Sequence, residues 1–267
     1  MTVGTTPEYF LSADDFGLTL SVNEAVERAH LAGALAQASL MVAAPAAEDA
    51  IARARTLPNL KTGLHLVLVD GDSRLGHAAL PDITVPNGKF PKNQAALGVK
   101  YFFSPAARRQ LAAEIRAQFA AYAATGLALH HADAHKHMHL HPTVAALMIR
   151  IGREFGLARL RIPAEPPAIM RACGEPPNFA ARALYSWARL LRAQAGPLAA
   201  TDHVFGLAWS GHMTLPRLQT LLKNLPPGTS EIYFHPATAR DAALTELMPD
   251  YEHITEYETL LALAPNS

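Results

Sequence analysis

GLALHHADAHKHMHLHPTVAALMIRI, residues 126–151, places six of the chain's thirteen histidines within twelve positions. The apolar stretch Gly126-Leu127-Ala128-Leu129 precedes the histidines, and Pro142 followed by helix formers comes after them. Proline at a first helical turn fixes where the helix starts, so the segment reads as strand, histidine run, helix. In a parallel α/β fold that junction is the C-terminal edge of a strand, where connecting loops build active sites. A histidine tract can also be a solvated stretch that binds metal only by accident. The flanking pattern favours a metal or acid–base site.

The same alternation extends in both directions. Residues 9–13 read as a strand leading into Asp14-Asp15-Phe16-Gly17 and then a helix, with Ser21 and Glu24 spaced as a capping box. Further strands are expected at residues 38–42, 62–68, 159–163, 203–206 and 231–235. Helices are expected at residues 45–57, 104–125, 142–155, 178–193, 215–222 and 255–263. Repeated β/α alternation implies a parallel sheet, and seven units in one chain favour a single-domain (β/α) barrel of seven strands over an open doubly wound sheet. Residues 70–103 carry Gly, Pro and Asn without clear periodicity, and read as a long insertion loop that covers the substrate.

The composition sets bounds. With 267 residues, 50% of them hydrophobic and 17% charged, the chain has ample material for one large core. Lys+Arg and Asp+Glu are equal at 23 each, so there is no electrostatic case for nucleic acid as a partner. The lone Cys173 excludes an internal disulfide and suits a reducing compartment. Residues 1–15 show neither a basic n-region nor a long apolar segment. No run approaches about 18 consecutive apolar residues, so a cytoplasmic protein without a transmembrane helix is expected.

Three strands besides the one at the histidine run end in groups suited to chemistry: Asp14 and Asp15, His65, and His235. Singly each signal is weak, because an Asp pair is often a turn or cap and a histidine after an apolar strand is often a hydrogen-bonded core residue. A barrel, however, would gather all of them on one rim. A carboxylate with two imidazoles is a ligand set for a divalent cation, and a second carboxylate and a further histidine can divide base and acid duties. Within the run, Asp133, His135, His137 and His139 share parity and face one way while the chain stays extended. Not all of them can be ligands.

At these residues the chain resembles the YdjC-like carbohydrate deacetylases. The matching motifs are Ala13-Asp14-Asp15-Phe16-Gly17, Gly63-Leu64-His65-Leu66, His131-x-Asp133-x-His135-x-His137-x-His139 with Pro142, and His235-Pro236, and together they span residues 8–240. The resemblance implies a hydrolase of N-acetylated sugars on a seven-stranded β/α barrel. It assigns the metal to Asp15, His65 and His135, the general base to Asp14, and the acid or transition-state partner to His235. Asp133, His137, His139 and Arg161 would form the surrounding layer that orients ligands or contacts substrate. One divalent ion is expected, magnesium by resemblance, although two imidazoles and a carboxylate also suit zinc or another first-row ion. The chain departs from the family pattern at Lys136 and in residues 70–103, which bears on the substrate more than on the reaction.

The whole chain looks most like the branch of that family associated with hopanoid biosynthesis. That likeness implies an N-acetylglucosamine-type sugar carried on a lipid, peripheral contact with the inner membrane face, and leaves a homodimer open. From Pro176 to Thr201 there is no Asp or Glu, while Arg182, Arg189 and Arg192 punctuate Phe179, Trp187 and Leu191. That stretch reads either as an outer barrel helix packed on the sheet or as an amphipathic helix at a membrane. The alternatives are a soluble chitooligosaccharide deacetylase and, in a different class, a non-enzymatic His-rich metal-binding protein. A phosphoester hydrolase fits poorly, because no phosphate-cradling glycine loop is present.

Overall fold

Every residue of the strand Gln37–Leu40 is buried, as are residues 11–16 and 62–66 of the strands on either side, the pattern of a parallel sheet covered by helices on its faces. The computed structural model describes residues 7–199 and 201–264. Residues 1–6, part of the segment read above as lacking a leader, lie outside them, as does Ala200 in the acid-free stretch. In chain order the elements are β1 (Glu8–Phe16), α1 (Leu20–Leu31), β2 (Gln37–Leu40), α2 (Ala47–Thr56), β3 (Lys61–Leu66), β4 (Gly71–Asp72), β5 (Lys89–Phe90), α3 (Gln94–Phe103) and α4 (Pro105–Ala124). They continue with β6 (Ala132–Ala134), α5 (Pro142–Glu154), α6 (Pro167–Ala172), α7 (Phe179–Ala195), β7 (His203–Phe205), α8 (Leu215–Lys223), β8 (Thr229–Phe234), α9 (Ala242–Leu247) and α10 (His253–Leu261).

Six strands form one parallel sheet in the order β6-β3-β2-β1-β8-β7, half a barrel within a single domain. The closed seven-stranded barrel expected from the sequence is not formed among the described residues. Residues 159–163, read as the seventh strand, make a single parallel bridge, Ala132 to Leu160, beside β6. Pro163 and Pro166 supply no N–H donors, which prevents a ladder from running on towards β7. A side chain spans that gap instead. The Glu165 carboxylate accepts from the backbone N–H groups of Gly206 (2.9 Å) and Leu207 (2.8 Å) at the end of β7. Burial raises its pKa, and those backbone donors oppose the rise.

Several local expectations need correction. Helix α1 is capped by Thr19, whose side chain accepts from the Val22 N–H, so Ser21 lies inside the helix and no capping box forms. The apolar stretch 126–129 is not a strand; β6 lies within the histidine run itself. Within residues 70–103 the chain forms a short antiparallel pair, β4 with β5, and helix α3. Helix α7 turns Trp187 and Leu191 inward: the Trp187 Nε1–H donates to the Leu140 carbonyl (2.7 Å), and Leu191 is buried. Its outward face instead presents Phe179 and Leu190. No helix among the described residues is long and apolar enough to cross a membrane.

Candidate metal and acid–base site

Asp14 and Asp15 reach one cluster because β1 carries a bulge. Its pairing with β2 runs from Ala13 opposite Ala38 to Phe16 opposite Leu40, so Asp14 and Asp15 occupy a step that β2 covers with one residue. Successive side chains of a regular strand point to opposite faces, but a bulge breaks that alternation and re-aims them. Asp15 absorbs the extra residue with a left-handed backbone, φ 61°. Both carboxylates are thereby buried in the same polar cluster.

Next along the sheet, His65 of β3 and Asp133 of β6 are register partners. The His65 Nδ1 lies 2.7 Å from Asp133 Oδ1, which leaves its Nε2 facing Asp15 Oδ1 at 3.3 Å. His135, one residue past β6, brings its Nδ1 to 3.0 Å from the same Asp15 oxygen. Asp15, His65 and His135 each offer a ligand atom within 4.8 Å of the others. The second Asp15 oxygen, Oδ2, is buried with no hydrogen-bond partner. A buried carboxylate oxygen with no donor is costly, so two imidazole nitrogens and an orphaned oxygen fit a divalent cation.

Asp14, His65 and Asp133 also stand within metal-ligand spacing of one another. There, however, a positive group is already in place. The buried Arg161 guanidinium contacts both Asp14 and Asp133, reaches Glu231 Oε1 at 2.7 Å, and donates to the Ser12 hydroxyl at 3.1 Å. Burial by itself would push the Asp133 carboxyl upward; Arg161 and His65 outweigh it and hold the group below the usual carboxylate range. Asp15 is held low in the same way by His135 and His65. Arg161 is thus a buried cation shared by Asp14, Asp133 and Glu231.

Asp14 and His65 open into a pocket of about 290 Å³, together with His135, His137, His235 and Tyr251. His235 Nε2 is 4.0 Å from Asp14 Oδ2. Burial works against a charge on His235, but Glu256, which accepts from its backbone N–H and lies 3.7 Å from its Nδ1, more than compensates and raises its pKa. Asp14 and His235, the expected base and acid, thus face one space.

The parity expected of the histidine run ends at His135. Residues 135–140 make two short turns that meet at a kink, where Lys136 (φ 49°) and His137 (φ 53°) are both left-handed. His137 consequently swings to the pocket wall, its Nε2 3.0 Å from the Tyr233 hydroxyl. His139 goes into the interior, where burial and the Arg161 charge push its pKa to about 4. Lys136 pairs with Asp70, itself left-handed at φ 45°. All four non-glycine residues with positive φ among those described, Asp15, Asp70, Lys136 and His137, surround this site.

His131 has a structural role. Its Nε2 is 3.0 Å from the Ser39 hydroxyl, which donates to Asp133 Oδ2 at 2.8 Å. Burial, with Arg161 nearby, keeps it neutral with a pKa of about 3. It packs so closely on β3 that a Cβ at Gly63 would meet its ring at 2.5 Å. Gly63→Ala should therefore cost about 1–3 kcal/mol by overpacking, read as a lower urea midpoint. An unchanged midpoint would show that His131 can move away freely.

Ser12, Ser39, Glu231, Glu256 and Tyr251 went unnoticed in the sequence. Ser12, Ser39 and Glu231 carry a usable signal, being polar groups inside otherwise apolar strands. Glu256 and Tyr251 carry none, since they reach the site from the C-terminal region by tertiary packing.

The sequence profile of the family described as "YdjC-like protein" matches residues 9–264. A carbohydrate deacetylase of Brevibacillus brevis is 32% identical over 157 residues, 59% of this chain and 58% of its own length. One from Vibrio cholerae serotype O1 is 35% identical over 144 residues, 54% of each chain. The chain thus spans little more than half the length of these curated relatives. A crystal structure from Enterococcus faecalis V583, described as that of a candidate cellobiose-phosphate cleavage protein, superimposes with a TM-score of 0.73 at 20% identity, covering 96% of this chain and 91% of that one. At that identity the likeness speaks for the fold alone.

Proposed function

Because this chain belongs to the YdjC-like protein family, we propose that it is a metal-dependent hydrolase that removes the acetyl group from an N-acetylglucosamine-type sugar. The observation that carries the proposal is the convergence of Asp15, His65 and His135 around an unpartnered carboxylate oxygen, beside a pocket that Asp14 and His235 share. The deacetylase names of the relatives point the same way.

Asp15, His65 and His135 would hold the ion. When bound, a divalent ion supplies Lewis-acid polarisation of an amide carbonyl and eases deprotonation of water. Asp14, anchored by Arg161, takes the proton from the attacking water as it bonds to the acetyl carbon. The carbon–nitrogen bond then breaks, and His235 delivers the proton that the departing amine needs. The products are acetate and a free amino sugar. Asp133 fixes the His65 ring through Nδ1, keeping Nε2 turned inward. Magnesium is supported by family resemblance and a first-row ion by ligand type.

The finer reading is a lipid-carried sugar, as in hopanoid biosynthesis, with a free chitooligosaccharide as the alternative. Phe179 and Leu190, exposed on α7 beside Arg182 and Arg189, support peripheral membrane contact. Metal storage needs several ions per chain, yet the two candidate groups among the described residues share His65. Purified protein supplied with magnesium or zinc should release acetate from N-acetylglucosaminides, and a chelator should abolish the release. No acetate from any such substrate, lipid-linked ones included, would end the proposal.

A further inference from the structure

Hydrolysis as proposed uses Asp14, His65, His135 and His235 and leaves part of the pocket lining without a role. Ser210, Met248 and Tyr251 line the same space. Ser210 lies between β7 and α8, whereas Met248 and Tyr251 lie between α9 and α10. The two stretches meet through their side chains: Ser210 Oγ is 2.9 Å from the Tyr251 hydroxyl. A hydroxyl has one hydrogen to donate and two lone pairs to offer. Whichever of the two donates to the other, the pair keeps one O–H and several lone pairs for a third group. Neither hydroxyl makes another hydrogen bond among the described residues, and both residues are only partly buried, so the pair is open to the pocket.

The pair is held in place before any ligand arrives. Gly211 has φ 76°, and a Cβ there would stand 2.2 Å from Tyr251 Cγ, so the aromatic ring packs directly on the Gly211 backbone. The Glu252 N–H donates to the Gly211 carbonyl at 2.7 Å and ties the two stretches together next to the ring. The ring also stands edge-on to His235, with centroids 5.0 Å apart and planes at 68°. Fixing the ring therefore fixes its hydroxyl close to the group expected to protonate the leaving nitrogen. A hydrogen-bonding group set in advance in this way discriminates between ligands more sharply than one that must be ordered on binding.

The chemistry of these side chains narrows what they would hold. Ser210, Met248 and Tyr251 carry no charge, which suits a neutral group. A carbonyl or ether oxygen would use only the free O–H of the pair, whereas a hydroxyl can accept from that O–H and donate to a lone pair at once.

We propose that Ser210 and Tyr251 form a specificity element that binds one ring hydroxyl of the amino sugar near its acetamido nitrogen, and so favours sugars over other N-acetylated molecules. The inference rests on the deacetylase reading for the identity of the ligand. It can be tested without turnover. Calorimetric titration of the magnesium-loaded protein with methyl N-acetylglucosaminide and with its 3-, 4- and 6-deoxy analogues should find one analogue that binds about three- to tenfold more weakly than the parent, the net worth of a neutral hydrogen bond. Tyr251→Phe keeps the ring on Gly211 and beside His235. It should weaken the parent by a similar factor and leave that one analogue unaffected, so that the two bind alike. Adding Ser210→Ala to Tyr251→Phe should cost little more, because hydroxyls that act as a unit do not contribute additively. In turnover the loss should fall more on KM than on kcat.

Deoxy analogues that all bind like the parent would overturn the proposal, as would a Tyr251→Phe effect equal on every analogue, the mark of a merely structural role. A loss confined to kcat would also overturn it, by placing the phenol on the reacting atoms. If the parent glycoside does not bind at all, this proposal and the amino-sugar reading fall together. Hydroxyl-dependent binding without acetate release would leave the pair standing and remove the deacetylase reading.

Discussion

Asp14→Asn should keep about one tightly held divalent ion per chain and lose roughly 10²–10⁴-fold in kcat, the usual worth of a general base, whereas His135→Ala should lose both metal and activity. The difference follows from position. Asp14 is bound to Arg161 on one side and faces His235 across the pocket on the other, so the amide can accept the same guanidinium contact but cannot take a proton. His135 points its Nδ1 at Asp15, within the group that would hold the ion. Elemental analysis of the two purified variants, alongside acetate release, separates the roles. Equal metal loss in both would show that Asp14 is itself a ligand.

The second large effect is on stability. Arg161→Ala should cost about 3–5 kcal/mol, because it strands Asp14, Asp133 and Glu231 in the interior without their cation. Urea unfolding in the presence of chelator reads this without a contribution from metal binding. The pH dependence has a definite sign. Asp133 is held below its ordinary value in the folded protein, so its contribution is present above the unfolded carboxylate pKa of about 4 and disappears as the pH falls through the lower folded value. The gap between wild type and variant should be widest near neutrality and close in acid. A gap that persists at low pH would assign the loss to packing instead of charge.

Much of this was legible in the chain because the information was local. Pro105 after Ser104 and Pro142 after the histidines mark helix starts that the structure keeps, at α4 and α5. Strand ends carrying Asp14, Asp15, His65 and His235 do meet, as parallel β/α connectivity requires. What stayed hidden depended on geometry that residue spacing does not encode. Parity along the histidine run predicted one shared face, and the left-handed pair Lys136–His137 redirects the chain midway. Helix α3 shows little polar alternation, because the structure leaves several of its apolar side chains partly exposed beside a groove. Closure of the barrel fails at a proline-rich segment, where a glutamate side chain spans the gap that strand pairing leaves.

The left-handed residues around the pocket bear on how this protein could be engineered. A non-glycine residue in that conformation carries of order 1–3 kcal/mol of strain, and Lys136 and His137 carry it back to back. A thermostability screen, or a design program scoring energy alone, would be drawn to glycine or asparagine at exactly these two codons. Lys136 and His137 both line the reaction pocket. Variants recovered for heat resistance alone should therefore accumulate at positions 136 and 137 with altered selectivity, so selection needs turnover as a second criterion from the first round.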